Sequence, residues 1–129
     1  MGTSFRDLIV WQRAVESSLA IYRLTSQFPA SERFGLTNQL RRASVSVASN
    51  IAEGYGKATK GEYLQYLGHA RGSNFELQTQ LTIAEGLGFG ADEARRRASE
   101  LASEVGRMLV AMMSKLPASH RPTSTTANR

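Results

Sequence analysis

Apolar residues recur at helical spacing along most of the chain, and glycine, proline and capping residues divide that pattern into four stretches. The most informative stretch is Gln39 to Gly54. Leu36, Leu40, Ala43, Val47 and Ile51 step by four, three, four and four, which places them on one face of a helix. Between them stand Arg41, Arg42, Ser46, Asn50 and Glu53, polar residues that a plain core stripe does not require. Gly54, with Gly56 just beyond it, predicts the end of that helix.

Ahead of it, Trp11, Ala14, Val15, Ser18, Tyr22 and Thr25 form a stripe flanked by Leu19 and Ile21. This predicts a first helix over 5–28, stopped by Pro29, which disfavours helix in the residue before it. Ser31 is the expected N-cap of the second helix, over 32–53. Thr59 and Glu62 have the Thr-x-x-Glu spacing of a capping box and open a third helix over 60–86. On it Tyr63, Leu67, Ala70, Asn74, Leu77, Leu81 and Ala84 keep an a/d heptad with one polar interruption, Asn74. Gly86, Gly88 and Gly90 break the chain, and Asp92 is the expected cap of a fourth helix over 92–116. Its stripe is Ala94, Ala98, Leu101, Val105, Met108, Met112 and Leu116, ended by Pro117. Residues 117–129 are rich in Ser, Thr and Pro and read as a disordered tail. No stretch alternates with a period of two. Loops of about four to six residues favour neighbours that run in opposite directions. The expected fold is all-α, an antiparallel up-down-up-down four-helix bundle in residues 1–116.

Composition changes this picture little. With 41% hydrophobic and 21% charged residues, the chain has the balance of a folded domain, and 129 residues suffice for one core. The absence of cysteine excludes disulfides and thiolate metal sites and is compatible with a cytosol. No apolar run approaches a membrane span, and the N-terminus lacks a secretory apolar segment. Met1-Gly2 begins like a myristoylation signal, but Arg6 stands where Ser or Thr is required. A soluble cytoplasmic protein with no membrane partner is therefore expected. The net charge of +5 is spread along the chain without a polybasic arm. It permits nucleic-acid contact through an assembled surface without demanding it.

Catalytic patterns fail. Neither His69 nor His120 follows Glu at the three-residue spacing of a di-iron bundle, and Ser44, Ser46 and Ser49 have no evident base to activate them. Small residues that let helices pack closely are the simpler account of those serines. Gly54-Tyr-Gly-Lys-Ala departs from the Walker pattern, because Ala58 follows Lys57 where Ser or Thr is required. No enzyme activity, cofactor or metal is expected.

Two polar sets remain. Arg41, Arg42, Lys57, Lys60, Arg95, Arg96 and Arg97 are the candidate contacts to a nucleic-acid backbone, with a solvated surface as the plainer alternative. Asn50, Glu53, Arg71, Asn74 and Glu76 are the candidate structural polar network; Asn50 and Asn74 interrupt apolar stripes and should find hydrogen-bond partners within that set, with Arg42, or across a subunit boundary. Tyr66 and Phe75 lie off the third stripe and should either widen the core or meet a partner.

The same residues carry a family resemblance. Asp7-Leu8-x-Val10-Trp11-Gln12-x-Ala14, Phe28-Pro29-x-x-Glu32-x-Phe34-Gly35-Leu36 and Gln39-x-Arg41-Arg42-Ala43 occur in order, followed by Ser46-Val47-x-x-Asn50-Ile51-Ala52-Glu53-Gly54 and Ala70-Arg71-Gly72-Ser73-x-x-Glu76-Leu77. From Phe5 to Phe89 the chain resembles the four-helix bundle proteins encoded in intervening sequences of large-subunit ribosomal RNA genes. The accessory variability determinant of diversity-generating retroelements is similar to that family. The resemblance implies a bacterial protein that assembles into a ring-like homopentamer. For the retroelement relative it further implies binding of nucleic acid and of a reverse transcriptase through a basic surface.

Overall fold

The computed structural model describes residues 4–116. Among them are four α-helices and no strand: α1 at Ile9–Thr25, α2 at Leu36–Tyr55, α3 at Lys60–Leu87 and α4 at Asp92–Ser114. Short 3-10 turns at Phe5–Asp7 and Ala30–Glu32 precede α1 and α2. The expected tail, 117–129, and Met1-Gly2 lie outside the described residues.

The helix ends differ from the sequence expectation where local chemistry intervenes. The Ser4 side chain accepts the Arg6 N–H, tightening the first turn, and Leu8 is extended, so α1 starts at Ile9 rather than Phe5. Its C-terminus is at Thr25, with Ser26 as the flanking residue. Ser31 caps nothing; it falls inside the 3-10 turn, and Glu32 Oε1 accepts the Leu36 N–H at 3.0 Å at the start of α2. Gly54 does not end α2, which runs on to Tyr55 with Gly56 beyond it. A Cβ on Gly54 would lie 2.6 Å from Tyr66 Cβ, so the glycine serves the close approach of α3. Both halves of the Thr59–Glu62 capping box are present. Asp92 is the first residue of α4 rather than its cap, and the Ala91 N–H before it goes to Gln27 Oε1 at 2.7 Å.

Packing follows a closed circuit: α1 lies against α2 and α4, and α3 lies against the same two, so that α1 and α3, and α2 and α4, stand diagonally across the core. Two apolar clusters fill the interior. One joins Ile21 and Leu24 of α1 with Leu40 and Ala43 of α2, Leu77 and Leu81 of α3, and Ala98 and Leu101 of α4. The other joins Val10 and Ala14 with Val47 and Ile51, Leu67 and Ala70, and Val105 and Leu109. Burying each Leu or Ile contributes about 1.5–3 kcal/mol, which is what holds helices of only moderate intrinsic propensity together.

The stripes on α2 and α3 face inward at nearly all the expected positions, as do Ala98, Leu101 and Val105 of α4. On α1 the stripe is rotated. Val10, Ala14, Ser17, Ile21 and Leu24 are buried, whereas Leu19 and Tyr22 are exposed and Val15 lines an outer groove. The reason is that α1 carries two apolar faces, and only one of them meets the core.

Candidate nucleic-acid interface

The basic side chains are not gathered into one patch. Arg41 and Arg42 sit on α2 beside Leu40 and Ala43, and Arg95 to Arg97 sit near the start of α4 beside Ala98, so both groups border the same apolar cluster. Helices α2 and α4 stand diagonally across the core, however, so the two groups occupy separate faces. Lys57 and Lys60 lie near the other cluster, in and just after the α2–α3 loop.

Their availability also differs. Arg41 is half-buried: Nε donates to Thr25 Oγ1 at 2.8 Å, and its guanidinium lies 4.5 Å from the centre of the Tyr22 ring. Arg95 holds its own loop. It donates to the carbonyl oxygens of Phe89 and Gly90 and pairs with Asp92. That contact shapes the turn in which Gly88 and Gly90 adopt positive φ. Arg96 and Arg97 are exposed, as are Arg42, Lys57 and Lys60. Lys57 Nζ lies 4.9 Å from the centre of the Tyr66 ring, so a cation of the α2–α3 loop stands against an aromatic face of α3.

The expected polar network resolves into separate parts. Asn50 Nδ2 donates to Ser46 O at 2.9 Å and Ser46 Oγ at 3.1 Å, and Ser46 Oγ meets Ser73 Oγ at 2.9 Å across the α2–α3 seam. Asn74 is fully buried; its Oδ1 accepts from Gln78 Nε2 at 2.6 Å, and its Nδ2 has no partner. Gly106 of α4 makes room for this pair, since a Cβ there would lie 2.9 Å from Asn74 Oδ1. The two asparagines therefore do not meet each other. Glu53 and Glu76 are exposed, and Arg71 lies over the Phe75 ring at 6.0 Å.

Three outer grooves were not evident in the sequence. Between α1 and α2, Trp11, Val15, Leu19, Val45 and Ala48 line an apolar one. Between α3 and α4, Phe75 and Val110 border another, with Gln78, Ser103, Gly106 and Arg107. Between α2 and α3 runs a polar cleft lined by Asn38, Gln39, Arg42, Ser46, Glu76 and Gln80. The one signal for the apolar grooves was the surplus of apolar residues off the core stripes, Leu19 and Phe75 among them.

The Arg13 guanidinium is raised by its hydrogen bond to Glu104 at 3.3 Å and by the charge of Glu16, and it ties α1 to α4. Burial raises the Tyr63 phenol, with a smaller push from Tyr55. Among the described residues no group of acidic, histidine or cysteine side chains could hold a metal ion, and no helix is long and apolar enough to cross a membrane.

The model of the 23S rRNA-intervening sequence protein family matches residues 6–111. The chain belongs to that family. The match takes in most of α4, beyond Phe89, where the resemblance described above ends. Among solved structures, a crystal structure of a protein of unknown function from the S23 ribosomal protein family of Bacteroides thetaiotaomicron is similar to this chain. It has 16% identity and a TM-score of 0.74, and the match covers 83% of this chain and 100% of that one. At that identity the likeness establishes the fold alone. No curated protein matches the chain.

Proposed function

We propose that this member of the 23S rRNA-intervening sequence protein family is a non-enzymatic, homo-oligomeric four-helix bundle that grips the phosphate backbone of RNA or DNA in the bacterial cytoplasm. The helices run up-down-up-down and antiparallel. This direction is supported by the clusters, since Val10 and Ala14 from the start of α1 share one with Val47 and Ile51 from the end of α2.

The observation that carries the oligomer is the pair of unlike apolar grooves on different faces, one on α1–α2 and one on α3–α4. Two different surfaces that meet head to tail form a ring when the rotation between neighbours closes, and an open filament when it does not. Five subunits is the number that the family resemblance implies. Repeated around such a ring, Arg42, Lys57, Lys60, Arg96 and Arg97 supply many phosphate contacts from a modest charge per chain. Arg41 and Arg95 act mainly by shaping the protein. If the protein serves a retroelement, a reverse transcriptase is its protein partner.

A second reading, a protein-binding scaffold with no nucleic-acid role, draws on the internal engagement of Arg41 and Arg95. Retention on immobilised nucleic acid separates the two. The proposal expects retention that weakens as salt rises and is lost in the double variant Arg96→Glu and Arg97→Glu with the oligomer intact. Retention unchanged by those substitutions, or none at any salt, would favour the scaffold.

A further inference from the structure

The two outer apolar grooves sit at the same height on the bundle. The boundary between the two core clusters falls between Ala43 and Val47 on α2, Ala70 and Leu77 on α3, and Ala102 and Val105 on α4. Val45, Phe75 and Ser103 stand at that boundary on the outside of the molecule. Val45 lines the α1–α2 groove with Leu19, and Phe75 and Ser103 border the α3–α4 groove. Leu19, Val45 and Phe75 are each about half exposed, as is Val110.

The correspondence continues in both directions along the helices. Toward the Ile21–Leu24 cluster, Arg41 lies four residues from Val45 and Glu100 three from Ser103, about 6 Å and about 4.5 Å at the helical rise. Tyr22, Arg41 and Val45 line one surface hollow, so Arg41 is continuous with the apolar groove. Its Nε bond to Thr25 and the Tyr22 ring fix the guanidinium in place. Among the described residues its Nη1 and Nη2 make no hydrogen bond or ion pair, and the exposed Glu100 carboxylate has no partner either. Toward the other cluster, Ala52 of the first groove lies seven residues from Val45, and Val110 of the second lies seven from Ser103, about 10.5 Å in each case. One face therefore offers a fixed cation followed by apolar surface, and the other a free carboxylate followed by apolar surface at the same heights.

We infer that the α1–α2 groove is occupied by the α3–α4 face of a second copy of this chain, with the helices of the two copies running in the same direction. Phe75 of one copy packs on Leu19 and Val45 of the next, Val110 lies toward Ala52, and Glu100 pairs with Arg41. Rotation about an axis along the helices keeps every residue at its own height, so matched heights are what closure into a ring about that axis requires. An arginine already held in place gives up little side-chain freedom when the carboxylate arrives. The inference rests on the homo-oligomer reading and adds which faces meet, in which direction and through which charge pair.

Two exposed single variants of the full chain test it by sedimentation. Val45→Glu keeps only the α3–α4 face intact, and Phe75→Glu keeps only the α1–α2 face. Alone, each should associate about thirtyfold more weakly than the unaltered chain, the loss of one hot spot. Each should then run near the 14.1 kDa monomer. Mixed in equal amounts, they should form a one-to-one pair that grows no further, because each supplies the face that the other lacks. Glu100→Arg should weaken assembly of the otherwise unaltered chain about fivefold. Adding Arg41→Glu to that chain should restore assembly, which loss of the Arg41 bond to Thr25 would not do. A Phe75→Glu protein that keeps the full mass overturns these faces and leaves the oligomer standing through another contact. So do two variants that stay helical by circular dichroism and dissociate, yet never pair. Glu100→Arg without effect overturns the direction and the charge pair. An unaltered chain that sediments as a monomer overturns the homo-oligomer itself.

Discussion

The two flanks of α2 present opposite chemistry from adjacent residues. Val45 points into the groove shared with α1, where Trp11, Val15, Leu19 and Ala48 leave an apolar surface open to solvent. Ser46, one residue on, lines the cleft shared with α3, among amides, a carboxylate and Arg42. Successive helical positions lie about 100° apart, so α2 serves three sectors at once: core, apolar flank and polar flank. Leu40, Ala43, Val47 and Ile51 occupy the core sector. Partner preference is written on the outer sectors, where folding leaves the residue choice free. An exposed aliphatic groove calls for another protein surface, and an uncommitted polar cleft calls for a polar ligand.

A charge placed on the apolar flank should have the largest effect. Val45→Glu should weaken self-association about thirtyfold or more, the effect of losing an interface hot spot, while circular dichroism stays helical. Sedimentation of the variant beside Arg42→Glu checks it, because the polar-flank change should leave the mass untouched. If both variants kept their mass, the apolar groove would have no part in assembly.

Gly54→Ala comes next and tests the close seam between α2 and α3. The new Cβ would meet Tyr66 Cβ at 2.6 Å, so a loss of about 1–3 kcal/mol in denaturant unfolding is expected. Unchanged stability would show that the tyrosine gives way freely. Ser46→Ala is smaller. It removes the Ser73 contact and one of the two Asn50 bonds, for about 1 kcal/mol.

The smallest effect is a pH dependence at the same seam. Burial raises the Tyr63 pKa in the folded state, so the native protein holds that proton more tightly than the unfolded chain does. Its contribution is fully present below the usual tyrosine value of about 10 and is lost as pH rises through the raised one. Stability should therefore decline more steeply in that alkaline window than it does in Tyr63→Phe. Parallel pH profiles for the two proteins would remove Tyr63 from the account.

Much of the interior was legible in the residue pattern, because one apolar face per helix suffices to locate it. Leu67, Ala70, Asn74, Leu77, Leu81 and Ala84 are all buried, as their heptad predicted. Helix α1 shows where that reasoning fails. With Ala14, Ile21 and Leu24 on one side and Val15, Leu19 and Tyr22 on another, periodicity alone does not say which face turns inward. Gly54 misled for a related reason: glycine both ends helices and admits close neighbours, and only the position of Tyr66 decides between the two. The basic residues were easy to list, but their availability was not, since Arg95 binds carbonyls of a loop whose shape the sequence did not reveal. The polar cleft was hidden because Gln39 and Gln80 are 41 positions apart and meet only through the packing of α2 on α3.

The most direct test of the central claim, that unlike flanks serve self-assembly and nucleic acid separately, is the solution mass by light scattering, with and without a short RNA. The account predicts a pentamer of the 14.1 kDa chain that takes up RNA at low salt and releases it as salt rises, with assembly retained throughout. A monomer that ignores RNA at every salt concentration would contradict it.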